Sequence, residues 1–147
     1  MNKRPLDIPL NCRATGPFSA LRLERIGPDL WRHLDRFEYR PPAPLPGPVV
    51  AAADAVTDLD SVPRLPLAYW LAKGRTVKGA AAHDALYRNG RLWSEGPKVT
   101  RRVADRIFVA AMRDEGVRIR HRWPIWLMVR AFGWRGWNRY RRAEARA

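Results

Sequence analysis

The sequence is poor in cysteine, in acidic residues and in long apolar runs. Cys12 is the single cysteine, so an intramolecular disulfide is excluded and a thiolate metal site would need most of its ligands elsewhere. No stretch approaches the roughly 18 consecutive apolar residues of a membrane-spanning helix. No apolar run follows the basic N-terminus, as it would in a secretory signal. These absences predict synthesis in a reducing cytoplasm and no transmembrane segment.

Basic residues outnumber acidic ones two to one. The 28 lysines and arginines against 14 aspartates and glutamates give a formal net charge of +14. Such an excess attracts polyanions whatever the fold, so nucleic acid, anionic lipid and acidic proteins are candidate partners. The alternative is that the arginines form only a solvated surface, because net charge says little about fold or activity.

The 147 residues, 46% of them hydrophobic, suffice for one domain with a modest core. The prolines and glycines of residues 1–28 predict an irregular N-terminal arm. Residues 134–147, which are rich in tryptophan and arginine, are predicted to form a basic tail. Between them, 29–133 form the domain. Short strands are predicted over 30–39 and, after a proline-rich loop, over 49–56. The predicted class is α+β, predominantly helical, with a small N-terminal β element followed by three or four packed helices.

Two short helices are predicted in the middle of the chain. The first covers 65–73, after a turn whose serine and proline suit a helix start. The second covers 77–88 and ends near Gly90, because glycine is the usual residue after a helix.

Two further helices follow. Apolar residues recur at helical spacing over 101–115, with Thr100 before them and Gly116 as the stop. A last, largely apolar helix is predicted over 123–132, because Pro124 fits a first helical turn.

A polar cluster on these helices is the best candidate for chemistry. His83 and Tyr87 are four positions apart and Asp84 and Tyr87 three, so they share one edge of a helix. Asp105, on the next helix, would be at least partly buried and would need a partner. If the two helices are antiparallel, that partner is His83. A carboxylate on one ring nitrogen fixes the tautomer and raises the basicity of the other, which could then activate water.

Asp84 could instead hold a hard cation. Asp58 and Asp60 or backbone carbonyls would complete its oxygen shell.

An alternative interpretation of the cluster is structural. In it the imidazole and the distant carboxylate only satisfy each other, Asp84 accepts a bond from Arg88 or Arg64, and Tyr87 covers the core.

The C-terminal tail interleaves tryptophan and tyrosine with arginine. This composition suits a membrane interface, nucleic acid, or docking to a partner in a virion. Alternatively, Trp134 and Trp137 complete the core and the arginines are solvated.

Four motifs occur in order along the chain: residues 57–64 (TDLDSVPR), 82–87 (AHDALY), 102–108 (RVADRIF) and 129–133 (VRAFG). Their order and spacing, over roughly residues 30 to 137, resemble the phage and prophage family of domain of unknown function 1353. The resemblance implies a phage-encoded protein of the late, virion or lysis part of a genome. Such a protein is made in the host cytoplasm, and a virion location is also expected.

A local likeness is more informative about chemistry. The pattern His-Asp-x-x-Tyr, with an aspartate on the next helix, is similar to the core of secretory phospholipase A2. The likeness implies that His83 is the water-activating base, that Asp84 binds calcium, and that Tyr87 and Asp105 orient the imidazole. The chain departs from that family in lacking its disulfides and an obvious glycine-rich calcium loop before His83.

The first functional hypothesis is therefore a phage hydrolase, assisted by a divalent cation, calcium in preference to zinc, that acts on an envelope component such as phospholipid. Its catalytic residues would be His83, Asp105 and Tyr87, and its metal ligands Asp84, Asp58 and Asp60. The alternative is a non-catalytic, tail-associated virion or assembly protein that binds phage structural proteins. A third hypothesis is nucleic-acid binding through the C-terminal tail, and an anionic membrane surface is a further candidate partner.

Overall fold

The computed structural model describes residues 10–28, 30–57 and 76–147. Within these residues, short strands come first and four helices follow, which confirms the α+β class with more helix than strand. The helix predicted over 65–73 lies outside the described residues, as do Asp58 and Asp60. Within the described ranges, no helix has the length and apolar character needed to span a membrane.

The strands form two small antiparallel sheets. The first has the order β1-β2-β3-β6 and the second pairs β4 with β5. The strands are β1 Leu10–Cys12, β2 Leu21–Gly27, β3 Leu30–His33, β4 Phe37–Tyr39, β5 Val49–Ala51 and β6 Val56–Thr57. The helices are α1 Val77–Asn89, α2 Arg101–Asp114, α3 Ile119–Phe132 and α4 Trp134–Arg146.

The prediction of an irregular arm over residues 1–28 is wrong for β1 and β2. In β2, Leu21 and Leu23 are buried in the core and Arg22 between them is exposed, the alternation of a sheet with one solvated face. β2 pairs with strands on both sides. The prolines and glycines around β2 favoured the prediction of irregular structure, although its own leucines and arginine alternate between the buried and exposed sides as in a strand.

The two predicted strands over 30–39 and 49–56 are each interrupted. The first divides into β3 and β4, which belong to different sheets, and the second into β5 and β6. Between β5 and β6 the chain turns at Asp54, whose φ of 66° is in the left-handed region that aspartate tolerates. Each of the two predicted segments, 30–39 and 49–56, therefore contributes one strand to each sheet.

The structure confirms the helices predicted over 77–88 and 101–115 as α1 and α2. Gly90 takes the left-handed conformation after α1, with φ of 62°, and its N–H donates to the Leu86 carbonyl at 2.8 Å. The Thr100 hydroxyl accepts from the Val103 N–H at 3.3 Å and so caps α2. Local signals therefore delimit both helices that carry the polar cluster.

The prediction for α3 is wrong at its start, because the helix begins at Ile119 with Pro124 inside it. The Arg118 carbonyl accepts from the backbone N–H of His121 and Arg122, so a turn forms ahead of the proline. Proline inside a helix removes only the bond from its own missing N–H and adds a local clash. The segment 134–147, predicted as a tail, forms α4, so the predicted last helix is followed by another.

α1 lies at the centre of the fold and contacts β5, α2 and α4. Its residues 78–87 are all buried, including three consecutive alanines that allow close approach of neighbouring backbones.

A glutamate from the end of α2 caps the N-terminus of α1. The Glu115 carboxylate accepts from the Thr76 hydroxyl and from the backbone N–H of Lys78, both at 2.7 Å, and from the N–H of Gly79 at 2.9 Å. α1 has no acidic residue in its own first turn. Glu115 therefore supplies the negative charge that a helix N-terminus favours.

An arginine from α4 binds the opposite end of α1. The Arg141 guanidinium donates to the carbonyls of Tyr87 at 3.1 Å and Arg88 at 2.6 Å. A cation at the C-terminus of a helix is stabilising because unpaired carbonyls concentrate negative charge there. Both ends of α1 are thus anchored by side chains of opposite charge from other helices.

Candidate active site

The Asp105 carboxylate joins the two helices of the predicted cluster. It is completely buried on α2, and its Oδ1 lies 2.9 Å from His83 Nε2 on α1. The Tyr87 hydroxyl donates to the same oxygen at 2.6 Å. α1 and α2 run antiparallel, so the structure brings together the three residues predicted to be catalytic.

Two arginines bind the second oxygen of this carboxylate. Arg130 of α3 donates to Asp105 Oδ2 at 2.6 Å, and Arg101, one turn before Asp105, lies 3.6 Å from it. Arg101 also donates to the Arg130 carbonyl. Sequence analysis missed both arginines as site residues. Arg130 lies in the quoted motif 129–133, but its role depends on a contact between helices, and nothing local distinguishes Arg101 in a chain with 28 lysines and arginines.

Aromatic rings enclose the imidazole. The His83 ring stacks on Phe108 of α2, with centroids 4.5 Å apart and planes at 22°. The imidazole also contacts the ring of Tyr87, with centroids 4.2 Å apart, and that ring meets Trp137 of α4 edge to face at 5.3 Å. All four helices therefore contribute a side chain to the site.

The environment fixes the protonation states of the pair. Burial alone would raise the pKa of Asp105, but hydrogen bonds from His83, Tyr87 and Arg130 outweigh burial and lower it. Burial also lowers the pKa of His83, against a smaller opposing effect of Asp105. The carboxylate is therefore ionised and the imidazole neutral near pH 7. Since an ionised carboxylate only accepts, Nε2 carries the ring proton.

The second ring nitrogen of His83 has no hydrogen-bond partner among the residues that the structure describes. In this tautomer Nδ1 carries a lone pair and is the basic atom of the ring. The ring itself is 1% exposed. The arrangement presents a neutral base that a buried carboxylate orients from the opposite side, which is one requirement for general base chemistry; the other is that water reaches Nδ1.

Asp84, the predicted calcium ligand, forms an ion pair. Its Oδ2 accepts from Arg88 Nε at 2.8 Å, the partner expected from the structural interpretation. Within residues 10–28, 30–57 and 76–147, no three His, Cys, Asp or Glu side chains are grouped to hold a metal ion. Calcium takes six to eight oxygen ligands, so the described donors do not fit the ion by themselves.

Gly133, at the junction of α3 and α4, allows Tyr87 to reach the carboxylate. A Cβ at this position would lie 2.6 Å from the Tyr87 hydroxyl and 2.4 Å from the Val129 carbonyl oxygen. We expect Gly133→Ala to lower the free energy of unfolding by about 1–3 kcal/mol through overpacking, as measured by urea unfolding. Gly136→Ala is the matched control. Its Cβ would find only Tyr87 Cδ1, at 4.0 Å, so equal destabilisation by both variants would contradict this explanation.

Comparison with known proteins agrees with the motif resemblance. The family model described as a protein of unknown function (DUF1353) matches residues 31–129, which include His83, Tyr87 and Asp105. No curated protein and no solved structure matches the chain. Because the family model covers more than half of the sequence, the chain belongs to the DUF1353 family.

Proposed function

We propose that the chain is a phage-encoded hydrolase in which His83 activates water for attack on an ester of the cell envelope, such as a phospholipid. One observation carries the proposal. The imidazole binds a buried, ionised carboxylate through Nε2, while Nδ1 has no hydrogen-bond partner among the described residues. A neutral imidazole oriented in this way contributes about 10²–10⁴-fold to a reaction that needs a general base.

In the proposed reaction, His83 Nδ1 takes a proton from water while the water oxygen attacks the ester carbonyl carbon. The tetrahedral intermediate collapses with cleavage of the carbon–oxygen bond, and the proton passes from Nδ1 to the departing alkoxide. A phospholipid would yield a fatty acid and a lysophospholipid, with the imidazole again neutral. Asp105 remains ionised and stabilises the transient imidazolium, the role of the aspartate in a Ser-His-Asp triad.

The remaining polar residues act through Asp105 and are positioning residues. The Tyr87 hydroxyl donates to Asp105 Oδ1 and Arg130 donates to Oδ2, and the two bonds hold the carboxylate in one orientation toward the imidazole. Metal assistance stays a prediction that depends on Asp84, with calcium as the expected ion. No step of the reaction above requires it.

The direct test is release of fatty acid from vesicles of phosphatidylglycerol and phosphatidylcholine, and from a short-chain soluble phospholipid, in calcium and in a chelator. We expect turnover by the wild-type protein that is constant near pH 7 and falls in acid. The midpoint should lie below the ordinary histidine pKa of about 6.5, because burial lowers the pKa of His83. Absence of turnover on every substrate in both conditions would exclude this function.

Acid should also destabilise the fold, which the pH profile must take into account. A histidine whose pKa is lower in the folded state contributes stability that is complete above about pH 6.5 and lost as pH falls toward the folded value. The lowered pKa of Asp105 acts in the same direction at lower pH, and so does His33, whose pKa burial lowers to about 4. Unfolding measured at each pH separates lost catalysis from lost structure.

Burial of the imidazole favours a second candidate, a non-catalytic virion or assembly protein that binds phage structural proteins. A ring with 1% exposure, in contact with two aromatic side chains, suits a structural connection between helices. This candidate predicts a fixed copy number in purified particles and no turnover. Turnover that depends on His83 would show that the protein is not solely a structural or assembly protein.

A further inference from the structure

A groove of about 600 Å³ lies between the proline-rich loop, α2 and the first turns of α3. Its lining includes neither His83 nor Asp105. Most of the wall is apolar, from Pro44, Leu45, Val109, Ile119, Trp123 and Trp126. A cavity of this size can take part of an acyl chain or another slender apolar group.

Three arginines, Arg106, Arg113 and Arg122, border this arginine groove, and none of the described residues that line it is acidic. Arg113 has a weak pairing with the neighbouring Asp114, at 3.8 Å. Among the described residues, neither Arg106 nor Arg122 forms an ion pair with an acid, and the buried Nε of Arg122 has no hydrogen-bond partner there. The groove thus combines an apolar wall with two guanidinium groups, those of Arg106 and Arg122, that have no anionic partner among the described residues.

An exposed apolar stripe continues from the groove along α3. Ile119, Trp123 and Leu127 follow one another at intervals of four residues and are 61%, 55% and 55% exposed. The opposite side of the helix packs Ile125 and Val129 into the core. An amphipathic helix needs only one apolar side to pack against the core, so this second apolar side, the α3 stripe, has no packing role within the described part of the chain.

We propose that the arginine groove and the α3 stripe dock the protein onto an anionic phospholipid surface. The stripe enters the boundary between headgroups and acyl chains, and Arg106 and Arg122 bind lipid phosphates. The inference rests on the proposed function for its purpose, because it names the surface on which the hydrolase meets its substrate. The physical argument requires no turnover.

The chemistry of the surface favours lipid over other occupants. A second copy of the chain would bring together two surfaces of a molecule with net charge +14, and like charges oppose such contact. Nucleic acid would bind the arginines and stack on Trp123, but it offers nothing to the aliphatic Ile119 and Leu127. A bilayer interface satisfies cations, indole and aliphatic groups together.

The test is sedimentation with sucrose-loaded vesicles of phosphatidylcholine alone and with one quarter phosphatidylglycerol, at physiological ionic strength. The full-length His83→Gln protein is used beside wild type so that hydrolysis does not alter the vesicles. We expect binding to the anionic vesicles that is at least about 25-fold stronger than to neutral ones, since each of the two arginines near an anionic surface contributes about fivefold.

Two variants and a matched control separate local docking from overall charge. Arg106→Gln/Arg122→Gln should weaken the partition coefficient about 25-fold, at about fivefold for each arginine. Arg142→Gln/Arg146→Gln removes the same charge from exposed positions of α4 outside the groove and should change it less than about threefold. Ile119→Ser/Leu127→Ser replaces only exposed side chains and should weaken binding to the anionic vesicles about tenfold or more.

Equal losses in the two arginine pairs would overturn the proposal, because attraction would then depend on net charge alone. Unchanged binding after loss of the stripe would overturn it as well. A stripe variant that converts a dimer to a monomer in analytical ultracentrifugation while vesicle binding persists would show self-association instead. Hydrolysis of the soluble substrate without vesicle binding would support the proposed function and reject membrane docking. Vesicle binding without turnover on any substrate would support membrane docking and reject the proposed function.

Discussion

Replacement of His83 by glutamine is expected to reduce phospholipid hydrolysis by about 10²–10⁴-fold and to leave the protein folded. The bond to Asp105 comes from Nε2, and a glutamine amide nitrogen reaches nearly the same place and donates in the same way. The variant therefore keeps the buried hydrogen bond and loses the basic nitrogen, Nδ1, together with the ring that stacks on Phe108. Turnover on soluble phospholipid and urea unfolding measure the two effects separately.

His33→Gln is the matched control for this experiment. His33 is also buried and also has an unpartnered Nδ1, but it lies in β3 and has no carboxylate partner among the described residues. Its replacement should leave turnover within about threefold of wild type. Equal loss of turnover in both variants, or full turnover in His83→Gln, would mean that His83 is not the base.

Asp105→Ala is expected to lower the free energy of unfolding by about 3–5 kcal/mol, the cost of removing one partner from a buried ion pair. The carboxylate accepts from His83, Tyr87 and Arg130 with no exposure to solvent, so its loss leaves three donors without an acceptor. Domains of this size are stable by about 5–15 kcal/mol, so the variant should lose a large part of its stability and unfold at a clearly lower temperature. Circular dichroism during thermal and urea unfolding measures the change.

Two comparisons make the stability prediction specific. Asp105→Asn keeps one accepting oxygen and should cost clearly less than alanine. Asp35→Ala removes an exposed partner of Arg22, with both side chains 53% exposed, and should cost less than about 1 kcal/mol. A cost for Asp105→Ala as small as that for Asp35→Ala would show that the carboxylate does not hold α1, α2 and α3 together.

The sequence was sufficient to predict the two central helices and the meeting of their polar residues. α2 has apolar residues at helical spacing after Thr100, and α1 has Gly90 as the signal for its end. Helical spacing then places His83 and Tyr87 on one edge. Only the antiparallel arrangement had to be assumed for Asp105 to reach them.

Other features depend on contacts that leave no local pattern. Arg130 binds Asp105 across 25 positions of sequence, and Glu115 binds the start of α1 across nearly 40. Pro124 suggested a helix start, but the chain begins α3 a turn earlier without a side-chain cap. α4 did carry a signal, since Trp137, Tyr140 and Arg141 share one side of a helix, but the density of arginines obscured it.

Because α1 is anchored at both ends, the number of residues in this helix determines where His83 and Tyr87 lie relative to Asp105. Glu115 fixes where the helix begins and Arg141 fixes where it ends, so the 13 residues between them form a spacer of set length. One residue inserted before His83 would turn the imidazole by about 100° around the helix axis, away from Asp105. Homologues that keep the histidine–aspartate pair should therefore accept insertions in the loop before α2 and none between the two anchors.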